Sequence, residues 1–350
     1  MSLVQPVTHL LFAVLTFGLW WRLRGRPDPW LGWLHGGVLM AGSLLVAAIR
    51  TRWWGITLFG FLDVIATALL IYLPALWLGT AISWRRSRPR AAATFGGVGL
   101  FGALCGLDAT VIEPRWLEIV HHTIPVDGPA VRIALVADLQ TDEVGDWEAG
   151  IFQAIRDAEP DLVLFSGDYI QLYDAEAYAR EIQALHALVA TLDPPLGGFA
   201  VSGDIDPPEV WKEAFEGTRI QVLEDSEVQV GGLNLTGLTV KTSHDGGLLA
   251  TPREGPKILL GHSPDYSLHE TGADLLLAGH THGGQVVVPF YGPPITFSRV
   301  PRSQAGGGSF LREDGSYLVV SRGLGLERMD APRVRFLCRP ELTLIDLVPR

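Results

Sequence analysis

Apolar residues are distributed along this chain in two ways, and the change falls near residue 115. Before it come four long apolar runs, at about 3–21, 30–49, 56–82 and 91–112. Each is long enough to cross the roughly 30 Å hydrocarbon core of a bilayer as a helix. After it, the apolar stretches shorten to four to seven residues and stop at Gly, Pro or polar positions. That pattern predicts the buried strands of an α/β domain.

Tryptophan and arginine sharpen the first region. Eight of the eleven tryptophans lie in it, and Trp20, Trp21, Trp30, Trp53, Trp54 and Trp84 sit at the ends of the runs, where interfacial anchors belong. The first loop carries Arg22, Arg24 and Arg26, the second Arg50 and Arg52, and the third Arg85, Arg86, Arg88 and Arg90. Seven arginines against two predict cytoplasmic first and third loops. With four spans, both termini then lie outside. The C-terminal part is expected on the periplasmic or extracellular face of a bacterial-type inner membrane, which the chain crosses several times. Asp63 interrupts the third run, and an acid is expensive to keep in hydrocarbon. A carboxyl facing the helix bundle accounts for it, since no further intramembrane charges mark an ion pathway.

Charge separates the halves again. The first 115 residues hold ten Arg and no Lys against four acids, whereas the remainder holds 17 basic residues against 34 acids, a net charge of −17. Phosphate-backbone binding rests on Lys and Arg displacing counterions. An acidic domain therefore argues against bulk nucleic acid and leaves a small phosphorylated or lipid-linked ester as substrate. The two cysteines, Cys105 and Cys338, indicate neither a disulfide framework nor a thiolate metal site.

Five short strands deliver the candidate chemistry. Stretch 131–137 ends at Asp138, 162–167 at Asp168, 198–203 at Asp204 and 257–261 at His262, and an apolar run leads into Gly279-His280-Thr281-His282. Extended residues i and i+2 point to one side, so His280 and His282 can face one centre. Ligands at strand carboxyl ends converge on one crevice. Carboxylates mixed with imidazoles suit Mn, Fe or Zn.

Taken in order, Asp138-Leu139-Gln140, Gly167-Asp168, Gly203-Asp204-Ile205-Asp206, Gly261-His262 and Gly279-His280-Thr281-His282 resemble the calcineurin-like metallophosphoesterase superfamily over residues 131–350. Val320-Ser321-Arg322-Gly323-Leu324-Gly325, with Pro340-Glu341-Leu342-Thr343-Leu344-Ile345 after it, resembles the membrane-anchored branch. The resemblance implies a two-sheet β-sandwich flanked by helices, with a two-metal centre at its upper edge. The expected architecture is an all-α transmembrane domain of four helices at 1–115, a linker at 116–130, and an α/β metallophosphoesterase domain at 131–350.

Carried over by position, the resemblance implies two divalent metal ions. Asp138, Gln140, Asp168 and His282 would hold the first. Asp168 would bridge to the second, completed by Asp204, His262 and His280. Such a pair can lower the pKa of a shared water and neutralise charge on a phosphate ester. The implied activity is hydrolysis of phosphodiester or pyrophosphate bonds, in a lipid or lipid-linked substrate met at the bilayer.

Three positions depart from the family series. Gln140 stands in place of histidine, and its amide oxygen is a weaker donor to these metals. Asp204 stands in place of asparagine and adds a negative charge. Ile205 stands in place of the histidine that protonates the leaving group, a role typically worth about 10²–10⁴ in rate. Asp206 and Asp142 are the nearby acids that could substitute, with capping of the helix starts after them as the favoured alternative. Asp206 joins Asp168 as a candidate catalytic residue. His244, in a polar loop, could lie near the pocket, but the favoured reading is a solvated side chain. The losses at 140 and 205 also motivate a second function, a metal-binding but catalytically silent module that recruits a partner at the membrane.

Overall fold

The computed structural model describes residues 4–25, 28–54, 57–251 and 253–350. Leu3, Arg26 and Ile56, at the edges of the apolar runs and of the first basic loop, lie outside them. The chain divides into two units, one comprising Met1–Ile112 with Met329–Arg333 and the other Glu113–Arg328 with Val334–Arg350.

The first unit is helical. Its elements are α1 (Val4–Arg24), α2 (Pro29–Trp54), a continuous helical stretch from α3 (Leu58–Thr67) through a π-helical turn (Ala68–Tyr72) to α4 (Leu73–Trp84), and α5 (Pro89–Leu107). Among the described residues three helices are long and apolar enough to cross a membrane: Pro29–Ile49, Leu58–Trp84 and Pro89–Arg115. The sequence expectation was four. The helix not counted is α1 (Val4–Arg24), whose described side chains begin at Thr8. Large apolar side chains such as Leu10, Leu45, Ile82, Phe101 and Val111 point outward, as they do where lipid rather than water is the solvent. Inside, the polar ends of two tryptophans are satisfied. Trp84 Nε1 donates to the Leu23 carbonyl at 2.9 Å and Trp20 Nε1 to Ser83 Oγ at 3.0 Å.

The second unit stacks two six-stranded sheets. Its strands are β1 (Glu118–Val126), β2 (Val131–Val136), β3 (Leu162–Phe165), β4 (Gly198–Ala200), β5 (Ile220–Val222), β6 (Ser226–Val230), β7 (Leu233–Gly237), β8 (Lys257–Leu260), β9 (Leu275–Ala278), β10 (Gly308–Leu311), β11 (Tyr317–Val320) and β12 (Glu341–Pro349). One sheet runs β1-β12-β2-β3-β4-β5 and the other β10-β11-β9-β8-β7-β6. Residues 118–126, inside the stretch read as a linker, thus form a strand that pairs with β12 in parallel register from Glu118 opposite Glu341.

Strand alternation explains the unbroken apolar runs, because both faces of each sheet are covered. Leu162 and Leu164 of β3 enter the core between the sheets with Ile133, Leu135, Ile258, Leu260, Leu275 and Leu277. Val163 and Phe165 face the other way, packing with Phe152 and Ile155 of α6 (Asp146–Asp157) and Ile182 and Leu185 of α7 (Ala175–Val189). Pairs β2–β3 and β3–β4 are parallel, as are β7–β8 and β8–β9. The carboxyl ends of β2, β3 and β4 therefore share one edge of their sheet, and those of β8 and β9 share one edge of theirs.

A buried arginine shapes that edge. Arg335, wholly inaccessible, donates to the carbonyls of Arg322, Gly323, Gly325 and Cys338 at 2.7–3.1 Å. The same turn returns the Gly325 N–H to the Asp138 carbonyl at 2.7 Å. Arg335→Ala strands several buried acceptors, each costing about 1–3 kcal/mol. Denaturant unfolding of the detergent-solubilised protein is expected to show a loss of about 3 kcal/mol or more, and a loss below about 1 kcal/mol would contradict this role.

Candidate metal centre

Five of the predicted site residues stand in left-handed backbone: Asp138 (φ 50°), Gln140 (36°), Asp168 (59°), His280 (69°) and His282 (49°). Such conformations are uncommon for residues with a Cβ and gather where function imposes them. Here each turns a side chain off the end of a strand and back over the sheet edge. Glycines make the close approach possible. A Cβ on Gly203 would collide with Asp168 Oδ1, and one on Gly279 would come within 2.7 Å of Asp138 Oδ2.

His262 sits at the middle, fully buried. Its Nδ1 lies 2.8 Å from the Ser166 carbonyl. A carbonyl only accepts, so Nδ1 carries a proton, and Nε2 is the atom that would meet a cation. That Nε2 lies 3.4 Å from Asp168 Oδ2, 3.5 Å from Asp204 Oδ2 and 3.2 Å from His280 Nδ1. His280 Nδ1 is 3.0 Å from Asp204 Oδ2. Asp138 accepts the His280 N–H with both oxygens at 3.0 Å, and Asp168 Oδ1 accepts from the Ile205 N–H at 3.0 Å. Among the described residues, two groups of side chains could each hold a cation, Asp204 with His262 and His280, and Asp138 with Asp168 and His262.

Orphaned atoms give an independent test of fit. Buried polar atoms normally find partners, yet Gln140 Oε1 and His282 Nδ1 are buried and have none. These belong to the two remaining predicted ligands. His282 also has the right charge state, since burial, reinforced by the Arg335 guanidinium, pushes its pKa down to about 3. A neutral imidazole and an amide oxygen are both competent metal donors. The residues present fit divalent ions.

Electrostatics at the centre shows what a cation would relieve. Burial, with help from the Asp168 charge, pushes Asp138 up to about 7. Burial would lower His262, but the carboxylates of Asp168, Asp204 and Asp138 hold it well above the usual imidazole range. Asp204 is held far below the ordinary carboxylate range, its burial outweighed by hydrogen bonds from His244, His262 and His280.

Two expectations need correction. Asp206 is not free to act on substrate. Its Oδ2 accepts the N–H groups of Gly203 and Asp168 at 2.7 and 2.9 Å, and its Oδ1 accepts that of Tyr169 at 3.0 Å. It caps no following helix either, and instead ties the turn after β4 to the turn after β3. Asp142 pairs with Arg328 at 3.5 Å, while the start of α6 is capped by the Glu148 carboxylate on the Gly145 N–H at 2.9 Å. The third surprise is His244, read as solvated. Its Nε2 lies 2.9 Å from Asp204 Oδ1, and its ring meets His280 edge-on at 5.0 Å. It sits on a short polar helix, Val240–Asp245, that carries no motif, so only a negative partner at 204 hinted at it.

A metal-supporting centre of Asp, His and Gln at the joined edges of two stacked sheets defines a class of metal-dependent hydrolases. The calcineurin-like phosphoesterase family profile matches residues 131–284. The chain is 27% identical over 283 residues to the uncharacterized metallophosphoesterase YkuE of Bacillus subtilis, covering 71% of this chain and 95% of that protein. It is 28% identical over 286 residues to phosphodiesterase YaeI of Escherichia coli, covering 76% and 100%. A shorter match, 33% over 97 residues, covers 26% of this chain and 28% of the UDP-2,3-diacylglucosamine pyrophosphatase LpxG of Chlamydia trachomatis. These matches support a calcineurin-like metallophosphoesterase domain in this chain and a phosphoesterase activity.

Cation binding must displace the protons that Asp138 and His262 retain. Both folded pKa values are raised, so protons compete below about pH 7 and the competition fades as pH rises. Affinity for Mn²⁺ is expected to climb between pH 5.5 and 7.5. Titration calorimetry in buffers of different ionisation heat should register proton release, and binding without it would contradict this account.

Proposed function

We propose that this phosphoesterase is a membrane-held hydrolase of phosphodiester or pyrophosphate bonds in lipid or lipid-linked substrates, working with two divalent ions drawn from Mn, Fe and Zn. The observation that carries the reading is the convergence of Asp138, Asp168, Asp204, His262 and His280, with unpaired Gln140 Oε1 and His282 Nδ1 completing the set. When bound, the cations would make a shared water acidic enough to attack at neutral pH and screen the charge of the phosphate.

The chain's own residues do the rest. Asp168, its Oδ1 held by the Ile205 N–H, keeps Oδ2 turned to His262 and would be the carboxylate available to both cations. Asp204 is oriented by His244, and His262 by Ser166. Asp206 fixes the two turns that carry Asp168 and Asp204. Ile205 brings no proton donor, which favours leaving groups that depart unaided, as a pyrophosphate's does.

Two observations support a lipid substrate. The three apolar helices place the chain in a bilayer if they cross it. Phe297, whose carbonyl lies 3.1 Å from His280 Nε2, leaves its side chain exposed, as do Phe290 and Tyr291 on the same segment. The same outward placement of the phosphoesterase unit follows whether four spans are counted or three. Arg22 and Arg24 still precede the span Pro29–Ile49, and Arg85, Arg86, Arg88 and Arg90 still separate the next two. Keeping both groups cytoplasmic leaves the chain outside after the third span.

Purified protein with Mn²⁺ is expected to cleave generic diesters, whereas Asp168→Ala should reduce the rate at least about 10³-fold, as removal of a shared metal ligand would. Equal traces of activity in both would overturn the hydrolase reading in favour of a silent scaffold. A reporter active only in the cytoplasm, fused after Arg350, should stay dark, and activity there would overturn the outward placement.

A further inference from the structure

We propose that Glu327 is a positioning residue that decides which end of the Gln140 amide faces the first metal, through a relay with Gln171 and Arg328. The inference rests on Gln140 being a ligand of that metal, as proposed above.

The two ends of a glutamine amide look alike in shape, but one only donates and the other only accepts. Their orientation must be deduced from partners whose role is unambiguous. The deduction here starts at a backbone N–H, which can only donate. The Arg328 N–H meets Gln171 at 2.6 Å, so that atom is the Gln171 oxygen, and the opposite end of Gln171 is its NH₂. That NH₂ donates to Glu327 Oε1 at 2.6 Å. Gln140 then faces two acceptors at one end, Gln171 Oε1 at 3.2 Å and Glu327 Oε2 at 2.9 Å. That end can only be nitrogen.

The consequence falls on the other end. Gln140 Oε1 is turned away from the relay and has no protein partner despite its burial. A cation needs such an oxygen, whereas an NH₂ group in its place would repel it. The relay is held firmly. Arg328 Nε donates to the Gln140 carbonyl at 2.8 Å, and the Glu327 N–H donates to Gln285 Oε1 at 3.1 Å. A histidine at 140 would need no such help to present a lone pair, but a glutamine does. The carboxylate at 327 is thus what makes glutamine serviceable at 140.

Replacing the carboxylate by an amide creates a conflict. In Glu327→Gln one oxygen becomes an NH₂ facing either the Gln140 or the Gln171 NH₂. Gln171 is pinned by the Arg328 backbone, so the clash falls on Gln140, whose NH₂ loses an acceptor and meets a donor, and its amide is displaced from the orientation that offers oxygen to the metal. Glu327→Ala introduces no donor, and Gln171 Oε1 still holds the Gln140 NH₂. The isosteric variant should therefore be the more damaging one, the reverse of what a merely space-filling role would give.

The test is calorimetric titration of Mn²⁺ into the full-length detergent-solubilised protein, together with the electron paramagnetic resonance signal of a coupled Mn pair. Wild type is expected to bind two ions and show the coupled signal. Glu327→Gln should weaken the first site about 10- to 100-fold, in the range of lost outer-shell hydrogen bonds, and lose the coupled signal. The second site, with Asp204, His262 and His280, should keep its affinity and so report an intact fold. Glu327→Ala should lose less, and Gln140→His should restore the first site in the Glu327→Gln background. Wild-type affinity in Glu327→Gln, a larger loss in Glu327→Ala, failure of the histidine rescue, or a wild type that binds one ion would each overturn the proposal. Two ions bound as expected without any hydrolysis would instead overturn the hydrolase reading and leave this one standing.

Discussion

The structure turns on bringing three aspartates, Asp138, Asp168 and Asp204, around one buried imidazole. Like charges at such spacing repel, and burial denies Asp138 and Asp168 the water that would screen the repulsion. The fold holds them there anyway. It does so with backbone donors, His280 N–H on Asp138 and Ile205 N–H on Asp168, and with left-handed turns that an isolated peptide would avoid. The two hydrophobic layers on either side of each sheet are what hold those turns in place.

Around this core lies a ring of residues that touch ligands rather than cations. Ser166 selects the tautomer of His262, His244 grips the outer oxygen of Asp204, and Asp206 binds the two aspartate turns together. Partners of this kind tune affinity and orientation. They also explain how the chain departs from the family series and still presents a complete set of donors. The aspartate at 204 comes with His244, and the glutamine at 140 comes with Gln171 and Glu327.

The helical unit is built differently. Its large apolar side chains such as Leu10, Ile82 and Phe101 face outward, and the indole N–H groups of Trp20 and Trp84 find partners inside. Arginines cluster in the connections between its helices.

Strand positions and the resemblance to the phosphoesterase family were legible in the sequence, because period-two patterning and short glycine-flanked motifs are local properties that folding preserves. The same locality made Asp138, Asp168, Asp204, His262, His280 and His282 readable as one set. What only tertiary structure decided were the roles that depend on distant partners. Asp206 became a bracket for the β3 and β4 turns rather than an acid or a helix cap, and His244, forty residues from Asp204, joined the centre. The direction of the Gln140 amide was set from 187 residues away by Glu327. A hydrogen bond between residues so far apart leaves no periodicity in the sequence, so only the packing of the two sheets brings its partners into view.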